Sequence, residues 1–366
     1  MAGDRILDLV IVGLGGIGRT FIRQWRSVSA RLKSKRGIDL RMTGMADRSG
    51  LLHDPDGLAA SAIDAVLYAK SQGESIRAVS SSILPIASVT ELATSRTLFI
   101  DATAAPGMAA IWSGVLNVGA GVVLANKLPL CEAWEHAGLL FGHPRVRYEA
   151  TVGAGLPILS TLRNLTETGD HIEEIQGALS GTLGYLGGQL SAGVPFSQAL
   201  DDAMKRGYAE PDPSEDLSGR DVARKAVILS RSAGWPADLA SVALEGLIAN
   251  DKMHEPARLL STPALDTRLK MQFDEAAQSG HVLRYLARVA PEGIRVRMTR
   301  VPSSSVFAAL AGPENCVTLQ TKRYSLHPLT ITGPGAGQEV TAAGVLSDLI
   351  DLAEKWRAEG DVRCAH

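Results

Sequence analysis

Residues 6–18 read ILDLVIVGLGGIG, and this stretch decides the fold of the N-terminal part of the chain. The apolar run Ile6–Val12 has the length of a buried strand, and residues 19–27 carry apolar side chains at helical spacing. Between them lies G-x-G-x-x-G, a glycine pattern that permits a tight turn, close approach of a pyrophosphate and close packing of helix on strand. The phosphate then meets free N–H groups at the helix start. The stretch predicts a dinucleotide-binding βα unit; the alternative is a glycine turn that serves packing alone.

A second strand is predicted at residues 39–46, and it ends at Asp47 and Arg48. An acid at this position accepts hydrogen bonds from the adenosine ribose hydroxyls, whereas an arginine favours a 2′-phosphate. Because both residues stand side by side, the sequence leaves NAD and NADP open. Residues 49–95, which follow, are expected to form helices on a polar surface.

Two further buried strands are predicted at residues 98–101 and 122–125. The first is followed by small residues that include Thr103, and the second by Asn126 and Lys127. Open α/β sheets bind ligands beyond the carboxyl ends of their parallel strands. Thr103 and Lys127 are therefore candidates for ligand contact, and the alternative for Lys127 is a solvated loop lysine.

The second half of the chain contains an acidic stretch at residues 207–225, which reads GYAEPDPSEDLSGRDVARK. Two prolines keep its first part out of a helix, because each lacks an N–H group and fixes its own φ. We expect a stiff loop that leads into a helix near Gly219 or Arg220, on which Asp221 and Lys225 share one face. The alternative is a surface loop with an ordinary helix salt bridge.

The remaining pattern of the second half predicts a mixed or antiparallel sheet. Segments of strand length that are rich in β-branched residues occur at 172–179, 282–289, 294–300, 316–321 and 328–331. After a glycine-rich break at 333–337, residues 340–356 have the pattern of a final helix. A length of 366 residues also suggests two domains.

Composition and charge indicate a soluble, cytoplasmic protein. The formal net charge of −2 gives no electrostatic case for binding nucleic acid or a membrane surface. The chain has no apolar run of the roughly 18 residues that a membrane span needs, and its N-terminus lacks the pattern of a signal peptide. Its three cysteines are widely spaced, and they predict neither a disulfide framework nor a zinc site.

Through nearly its whole length the chain resembles homoserine dehydrogenase, in the short, monofunctional form. The motifs that carry the resemblance follow the family's order: GLGGIG at 13–18, ANK at 125–127, EATVGAGLPI at 149–158, SGTLGY at 180–185, the acidic stretch at 207–225 and GPGAGQEVTAAGV at 333–345. The resemblance implies reversible, NAD(P)-dependent interconversion of L-homoserine and L-aspartate 4-semialdehyde in threonine and methionine biosynthesis.

The resemblance also implies an α/β fold with two domains. Residues 1–147 and 338–366 would form a Rossmann-type dinucleotide-binding domain. Residues 148–337 would form an α+β domain with a mixed sheet that binds substrate, carries the catalytic residues and forms a homodimer. The partners expected for the chain are thus a small-molecule substrate and a second copy of itself.

Site residues are carried over motif by motif. The resemblance implies Lys225 as the acid/base with Lys127 close by, and it assigns Glu210, Asp216 and Asp221 to the substrate. The substrate carboxylate needs a cation or N–H groups, for which Lys127 or the turn at 180–182, with Thr182, could serve. NAD or NADP would contact Gly13, Leu14, Gly15, Gly16, Ile17, Gly18, Asp47, Arg48, Thr103, Lys127 and Gly337. A structural sodium ion would be held by Glu149 and by the backbone of Val152, Ala154 and Leu156.

The implied reaction requires a lysine or similar proton donor, and carboxylates that bind the substrate. Hydride transfer to an aldehyde develops negative charge on its oxygen, which a lysine can neutralise or protonate. The ammonium group of an amino acid calls for carboxylates, and the acidic stretch supplies several. Two positions depart from the familiar pattern and weaken claims about substrate fit and cofactor choice: Gly184, where many members carry a polar side chain, and Leu128-Pro129 after the ANK lysine.

Other functions stay open on the sequence alone. One is a related NAD(P)-dependent dehydrogenase that acts on another amino acid or semialdehyde, and another is a catalytically inactive cofactor-binding sensor. A semialdehyde dehydrogenase that acylates would need a nucleophilic cysteine, and no cysteine here lies in a suitable motif. Both lysines and the substrate carboxylates argue against the sensor.

Overall fold

The computed structural model describes residues 6–209, 212–248 and 262–363, with side chains of the last helix described through Trp356. The chain divides into two compact units after Gly155 and after Ala336, so that the C-terminal helix belongs to the first unit. The assignment of residues 1–147 with 338–366 to a cofactor and 148–337 to a substrate stays a prediction.

The first unit is built on a sheet in the order β3-β2-β1-β4-β5-β6. Over the described residues its neighbouring strands run parallel, except that β3 is antiparallel to β2. The strands are β1 (Ile6–Val12), β2 (Asp39–Asp47), β3 (Gly50–His53), β4 (Thr97–Asp101), β5 (Gly121–Leu124) and β6 (Val146–Arg147). The predicted α/β fold with a parallel, dinucleotide-binding type of sheet is confirmed.

Helices cover this sheet. They are α1 (Gly16–Arg36), α2 (Ala60–Ser71), α3 (Met108–Asn117), α4 (Leu128–Cys131), α5 (Trp134–Ala137) and the C-terminal helix (Gln338–Arg363). Short 3₁₀ turns lie at Ile76–Ala78, Ile86–Leu92, Gly138–Leu140 and Glu149–Thr151. The prediction that residues 49–95 form helices alone was wrong, because β3 forms a tight hairpin with β2 there and buries Leu51 and Leu52.

The core of the first unit lies between β1, α1 and the C-terminal helix. Ile11 in the central strand, Phe21 and Ile22 in α1, and Val345 and Leu349 in the C-terminal helix are all fully buried in one cluster. Burying a side chain of this size contributes roughly 1.5–3 kcal/mol. This packing holds the start of α1 at the carboxyl end of β1, where the glycine turn lies.

The second unit contains a mixed sheet in the order β12-β11-β7-β9-β10-β8, as predicted. Its strands are β7 (Ile172–Ala178), β8 (Ala243–Leu244), β9 (His281–Ala290), β10 (Gly293–Pro302), β11 (Glu314–Thr321) and β12 (Leu329–Pro334). Among the described strands β8 and β10 are parallel, and the other pairs are antiparallel.

The helices of the second unit are α6 (Ile158–Glu167), α7 (Gly181–Ser191), α8 (Phe196–Lys205), α9 (Ser214–Ser218), α10 (Arg220–Ser232) and α11 (Pro263–Gln278), with a 3₁₀ turn at Leu239–Ser241. The amphipathic helix α10 packs against β9 and β10, and its apolar face is buried through Leu229. No helix in the described part of the chain is long and apolar enough to cross a membrane.

Candidate active site

A cleft of about 1250 Å³ opens at the carboxyl edge of the first sheet. The sequence-predicted cofactor residues that line it are Gly13, Leu14, Gly15, Gly16, Ile17, Asp47, Arg48 and Thr103. Lys70, Gln338 and Arg19 also line it, and sequence reasoning did not single them out. Gly18, Lys127 and Gly337 are not among the lining residues. All these cofactor contacts stay predictions.

The first and last glycines of the turn have no room for a side chain, whereas a Cβ at Gly15 would meet nothing within 4 Å. A Cβ at Gly13, where φ is +104°, would lie 2.5 Å from the carbonyl carbon of Ala102. A Cβ at Gly18 would lie 2.0 Å from the main-chain oxygen of Gly13. Gly15 caps α1 without any side-chain hydrogen bond, and the first turn of the helix has no acid. The N-terminal N–H groups of α1 therefore face the cleft as an anion site.

Asp47 does not present an open carboxylate to the cleft. Its Oδ2 accepts hydrogen bonds from Lys70 Nζ at 2.8 Å and from the N–H of Ile76 at 3.1 Å. Its Oδ1 accepts from the main-chain N–H and the hydroxyl of Ser49. Burial acts to raise the pKa of Asp47, but these hydrogen bonds outweigh it and lower the pKa to about 2. The carboxylate is ionised and its four acceptor positions are taken.

The charge left uncompensated in the part of the cleft beside Asp47 is consequently positive. Arg48 is exposed and has no hydrogen bond or ion pair with other described residues. Arg19 donates to the main-chain oxygens of Leu14 and Lys70 at 3.2 and 3.3 Å. Since the Lys70 charge is balanced by Asp47, the guanidinium of Arg48 is available to a bound anion.

In the second unit, Lys225 lies on α10 with its side chain 11% exposed. Its Nζ lies 2.9 Å from Asp221 Oδ2 and donates to the main-chain oxygen of Leu179 at 2.6 Å. The predicted helix start and the shared face of Asp221 and Lys225 are confirmed. An ammonium has three N–H donors, so these two contacts leave one N–H of Lys225 for a further acceptor.

Gly219 sets the direction of α10. It has a φ of +74° between α9 and α10, and a Cβ at this position would lie 2.0 Å from the hydroxyl of Tyr285. Tyr285 itself is held by donating to the main-chain oxygen of Glu245 at 2.7 Å. The close approach explains why a glycine occupies the position, since a side chain there would push α10, with Lys225, away from β9.

Comparison with known proteins shows which family this chain resembles. A model of the family "Homoserine dehydrogenase" matches residues 157–350. A homoserine dehydrogenase of Emericella nidulans is 32% identical over 95% of this chain and 98% of its own length.

The chain belongs to the homoserine dehydrogenase family.

Three further proteins resemble this chain, one in part of a longer sequence and two in their solved structures. The chloroplastic bifunctional aspartokinase/homoserine dehydrogenase 1 of Arabidopsis thaliana is 36% identical over 95% of this chain, which spans only 39% of that protein's length. A crystal structure of a Candida auris protein of unknown function has a TM-score of 0.81 at 31% identity, and it covers 96% of this chain and 99% of its own. A hyperthermophilic archaeal homoserine dehydrogenase in complex with NADPH shares the fold, with a TM-score of 0.74 at 23% identity over 96% of this chain and 98% of its own.

The turn that the family motif SGTLGY forms is the start of α7. Ser180 caps the helix by accepting from the N–H of Leu183 at 3.1 Å. Thr182 is buried and donates its hydroxyl proton to the main-chain oxygen of Tyr208 at 2.6 Å. Thr182 thus holds the N-terminal part of the acidic stretch, and its contact with substrate stays a prediction.

Three further residues of the family motifs are Gly184 in SGTLGY, and Asp216 and Glu210 in the acidic stretch. At Gly184, where many homoserine dehydrogenases have a polar residue, a Cβ would lie 3.2 Å from the main-chain oxygen of Gly312. Asp216 lies half-buried on α9. Glu210 lies outside the described residues, so its predicted role with the substrate has no structural account.

The segment that resembles the family's sodium site packs tightly against the C-terminal helix. The N–H of Glu149 donates to Asp348 Oδ2 at 2.7 Å, and Ala154 has a φ of +58°. Its donor set would be one carboxylate and main-chain oxygens, which suits a hard cation, whereas no cluster of three or more His, Cys, Asp or Glu occurs among the described residues. Leu156 begins the second unit. The sodium site stays a prediction.

Sequence reasoning missed Asp101, the last residue of β4. This fully buried carboxylate accepts from the N–H and hydroxyl of Thr103 at 2.9 and 2.7 Å, from Trp112 Nε1 at 2.8 Å and from Asn126 Nδ2 at 3.2 Å. Burial raises the pKa of Asp101, and these donors oppose the rise. The residue ties the end of β4 to the turn that carries Lys127. An acid at the carboxyl end of a buried strand was the available signal.

Proposed function

We propose that this chain interconverts L-homoserine and L-aspartate 4-semialdehyde, with NADP as its preferred cofactor, as a step of threonine and methionine biosynthesis. The observation that carries the proposal is the geometry of Lys225. Its ammonium is largely buried, is held by Asp221 and by the Leu179 carbonyl, and keeps one N–H for a reacting oxygen. This geometry occurs in a chain of the homoserine dehydrogenase family.

The bound nicotinamide supplies or accepts the hydride. In the direction of aldehyde reduction, Lys225 donates a hydrogen bond and then a proton to the aldehyde oxygen as negative charge develops on it. In the direction of oxidation, the same nitrogen takes the hydroxyl proton. Asp221, at 2.9 Å, orients the ammonium and stabilises its charge. Lys127, at the start of α4, is proposed as the second cation of the site.

The remaining parts of the substrate have proposed partners in the second unit. Glu210, Asp216 and Asp221 would bind the α-ammonium group, and the turn that contains Thr182 would receive the α-carboxylate at the start of α7. These roles rest on the family motifs, together with the half-buried position of Asp216 and the helix start at Gly181. The structural sodium ion at Glu149 and the homodimer are proposed on the same resemblance.

The preference for NADP rests on the two residues that the sequence left undecided. Asp47 has no acceptor position left for ribose hydroxyls, because Lys70, Ser49 and Ile76 occupy them. Arg48 lines the cleft with an uncommitted guanidinium, which suits a 2′-phosphate. The archaeal homoserine dehydrogenase of the same fold binds NADPH, which agrees with this assignment.

The test is oxidation of L-homoserine by the purified chain, followed at 340 nm with NAD or NADP in separate assays. We expect turnover, with a lower KM for NADP. The Lys225→Ala variant should lose roughly 10²-fold or more in kcat, the usual scale of acid–base loss. Lys205→Ala is the matched control, because Asp201 and Lys205 form the same i,i+4 pair on the exposed face of α8.

Two results would contradict the proposal. Absence of turnover with both cofactors, while NADPH still binds, would assign another substrate or a sensor function. Near wild-type turnover of Lys225→Ala would remove this lysine from the mechanism.

A further inference from the structure

The buried carboxylate of Asp101, at the end of β4, joins three separate segments of the first unit. Its Oδ1 accepts from the main-chain N–H and the hydroxyl of Thr103 at 2.9 and 2.7 Å. Its Oδ2 accepts from Trp112 Nε1 in α3 at 2.8 Å and from Asn126 Nδ2, after β5, at 3.2 Å. Both oxygens thus act as acceptors for neutral donors, which is what an ionised carboxylate provides.

Two of these partners belong to the wall of the dinucleotide cleft. Thr103 and Trp112 both line the cleft, whereas Asp101 is not among the described residues that line it. Trp112 is fully buried, and its indole N–H is committed to Asp101. Asp101 can therefore affect a bound cofactor only through the residues that it holds.

The turn at 102–105 forms a continuous part of this wall. All four of its residues line the cleft, and Ala105 donates its N–H to the Thr103 hydroxyl at 3.2 Å. Ala102 lies against the glycine turn, since a Cβ on Gly13 would lie 2.5 Å from its carbonyl carbon. Because Thr103 is tied to Asp101 by two hydrogen bonds, a displacement of the carboxylate displaces the wall beside the glycine turn.

Asn126 extends the same network to the end of the next strand. Its Nδ2 also donates to the main-chain oxygen of Ala105 at 2.9 Å and to the Thr103 hydroxyl at 3.1 Å. Its Oδ1 accepts from the N–H of Leu128, the first residue of α4, at 3.1 Å. One amide that is bound to Asp101 therefore holds the cleft wall after β4 to the start of α4.

The negative charge of Asp101 makes a geometric role separable from an electrostatic one. The phosphates of a dinucleotide are negative, and a carboxylate near the cleft repels them. Charge alone would therefore oppose cofactor binding, so a benefit from Asp101 must come from the geometry that it fixes. An asparagine has the same shape but only one acceptor oxygen, so its NH₂ group would face the N–H of either Thr103 or Trp112.

We propose that Asp101 is a positioning residue for NADP binding. Its carboxylate holds Thr103 and Trp112 at the wall of the cleft and orients Asn126, so that the turn at 102–105 is set before the cofactor arrives. This preorganisation favours binding, because fewer groups must be ordered by the cofactor. The inference rests on the proposed NADP-dependent function.

The test compares the NADPH affinity of the full chain with that of its Asp101→Asn variant by fluorescence titration, together with thermal unfolding of both proteins. We expect the Kd for NADPH to rise about 10-fold, the scale of one lost hydrogen bond to a charged group, although the substitution removes a repulsive charge. Asp8→Asn is the matched control. Asp8 is a partly buried carboxylate on β1 that accepts from Arg41 at 2.8 and 3.1 Å, and it pairs with Thr97 at the opposite end of β4. The Kd of this control should match the wild type, whatever its Tm.

A Kd of the folded Asp101→Asn variant that falls, or that stays within twofold of the wild type, would overturn the inference. So would an equal rise in Asp8→Asn, because lost stability would then account for both. If Asp101→Asn fails to fold, Trp112→Phe provides a second variant, since it removes one donor to the carboxylate and keeps an aromatic ring. Its Kd should also rise, and an unchanged value would count against the inference in the same way.

The readout is independent of homoserine turnover, so the inference can be judged even if the enzyme uses another substrate. Absence of NADPH binding by the wild type would instead overturn the proposed cofactor, and this inference with it.

Discussion

Arg48 offers the sharpest test of how the cleft selects its cofactor. We predict that Arg48→Ser raises KM for NADP and leaves KM for NAD nearly unchanged. The residue lines the cleft, whereas the neighbouring Asp47 is fully engaged by Lys70, Ser49 and Ile76. A 2′-phosphate would therefore gain its charge-assisted hydrogen bonds from Arg48, and a ribose hydroxyl would gain little from Asp47.

The expected size of the rise in KM for NADP follows from the exposure of the Arg48 guanidinium. Hydrogen bonds to charged groups contribute about 1.5–3 kcal/mol, and exposed charges give the lower part of such ranges because water screens them. Arg48 is exposed, so we take about 1.5 kcal/mol. A tenfold change corresponds to about 1.4 kcal/mol, and the expected rise in KM for NADP is thus roughly 10-fold. The rise should shrink at high ionic strength.

The assay uses initial rates at 340 nm with saturating L-homoserine, and varies NADP and NAD separately. Arg77→Ser is the matched control: Arg77 donates to the main-chain oxygen of Ser49 at 2.8 Å in the same hairpin but does not line the cleft. The control should keep the wild-type ratio of the two KM values. Equal effects of Arg48→Ser on NADP and NAD would refute the assignment of Arg48 to the 2′-phosphate.

Two further predictions concern stability. Because the folded-state pKa of Asp47 lies near 2, below its ordinary value of 3.8, its stabilising contribution is present above about pH 4 and is lost as the pH falls towards 2. The free energy of unfolding, measured by urea denaturation, should fall over this window by about 1–2 kcal/mol more in the wild type than in Asp47→Asn, after a discount for solvent screening. The same pH dependence of the unfolding free energy in both proteins would contradict this prediction. Gly219→Ala should lower both stability and kcat, since its Cβ would overlap the Tyr285 hydroxyl. Adding Tyr285→Phe should restore part of both. If the second substitution restores neither, backbone strain at Gly219 causes the loss and not the contact with Tyr285.

Much of the fold could be predicted because it depends on local patterns. The glycine turn, the strand before it and α1 form one contiguous stretch, and the pairing of Asp221 with Lys225 follows from helical spacing alone. The hairpin strand β3 was missed because four residues give too short a pattern to distinguish strand from turn. Its burial comes from contacts with the rest of the unit, including the bridge between Leu51 and Leu84.

The parts of the site that escaped prediction depend on partners distant in the sequence. Asp47 is saturated by Lys70 and Ile76, which lie 23 and 29 residues further along the chain. Nothing near Asp47 in the sequence marks those partners, so NAD and NADP could not be separated there. Asp101 likewise accepts hydrogen bonds from Trp112 and Asn126, which are distant from it in the sequence. Local patterns single out candidate residues, and tertiary contacts decide whether each candidate is available to a ligand.

Two Asp–Lys pairs of the second unit, each with the acid on the N-terminal side, show why this distinction matters for function. Asp201 with Lys205 and Asp221 with Lys225 have the same spacing and order on their helices. The side chains of the first pair are 50% and 72% exposed, and pairs of that kind contribute little because water competes with them. Lys225 is only 11% exposed, and the Leu179 carbonyl binds a second of its protons. A low-dielectric setting would strengthen its interaction with a developing oxyanion, and this setting comes from packing α10 against the second sheet. The acid–base role proposed for Lys225 therefore depends on the burial that this packing provides, which the helical pattern does not encode.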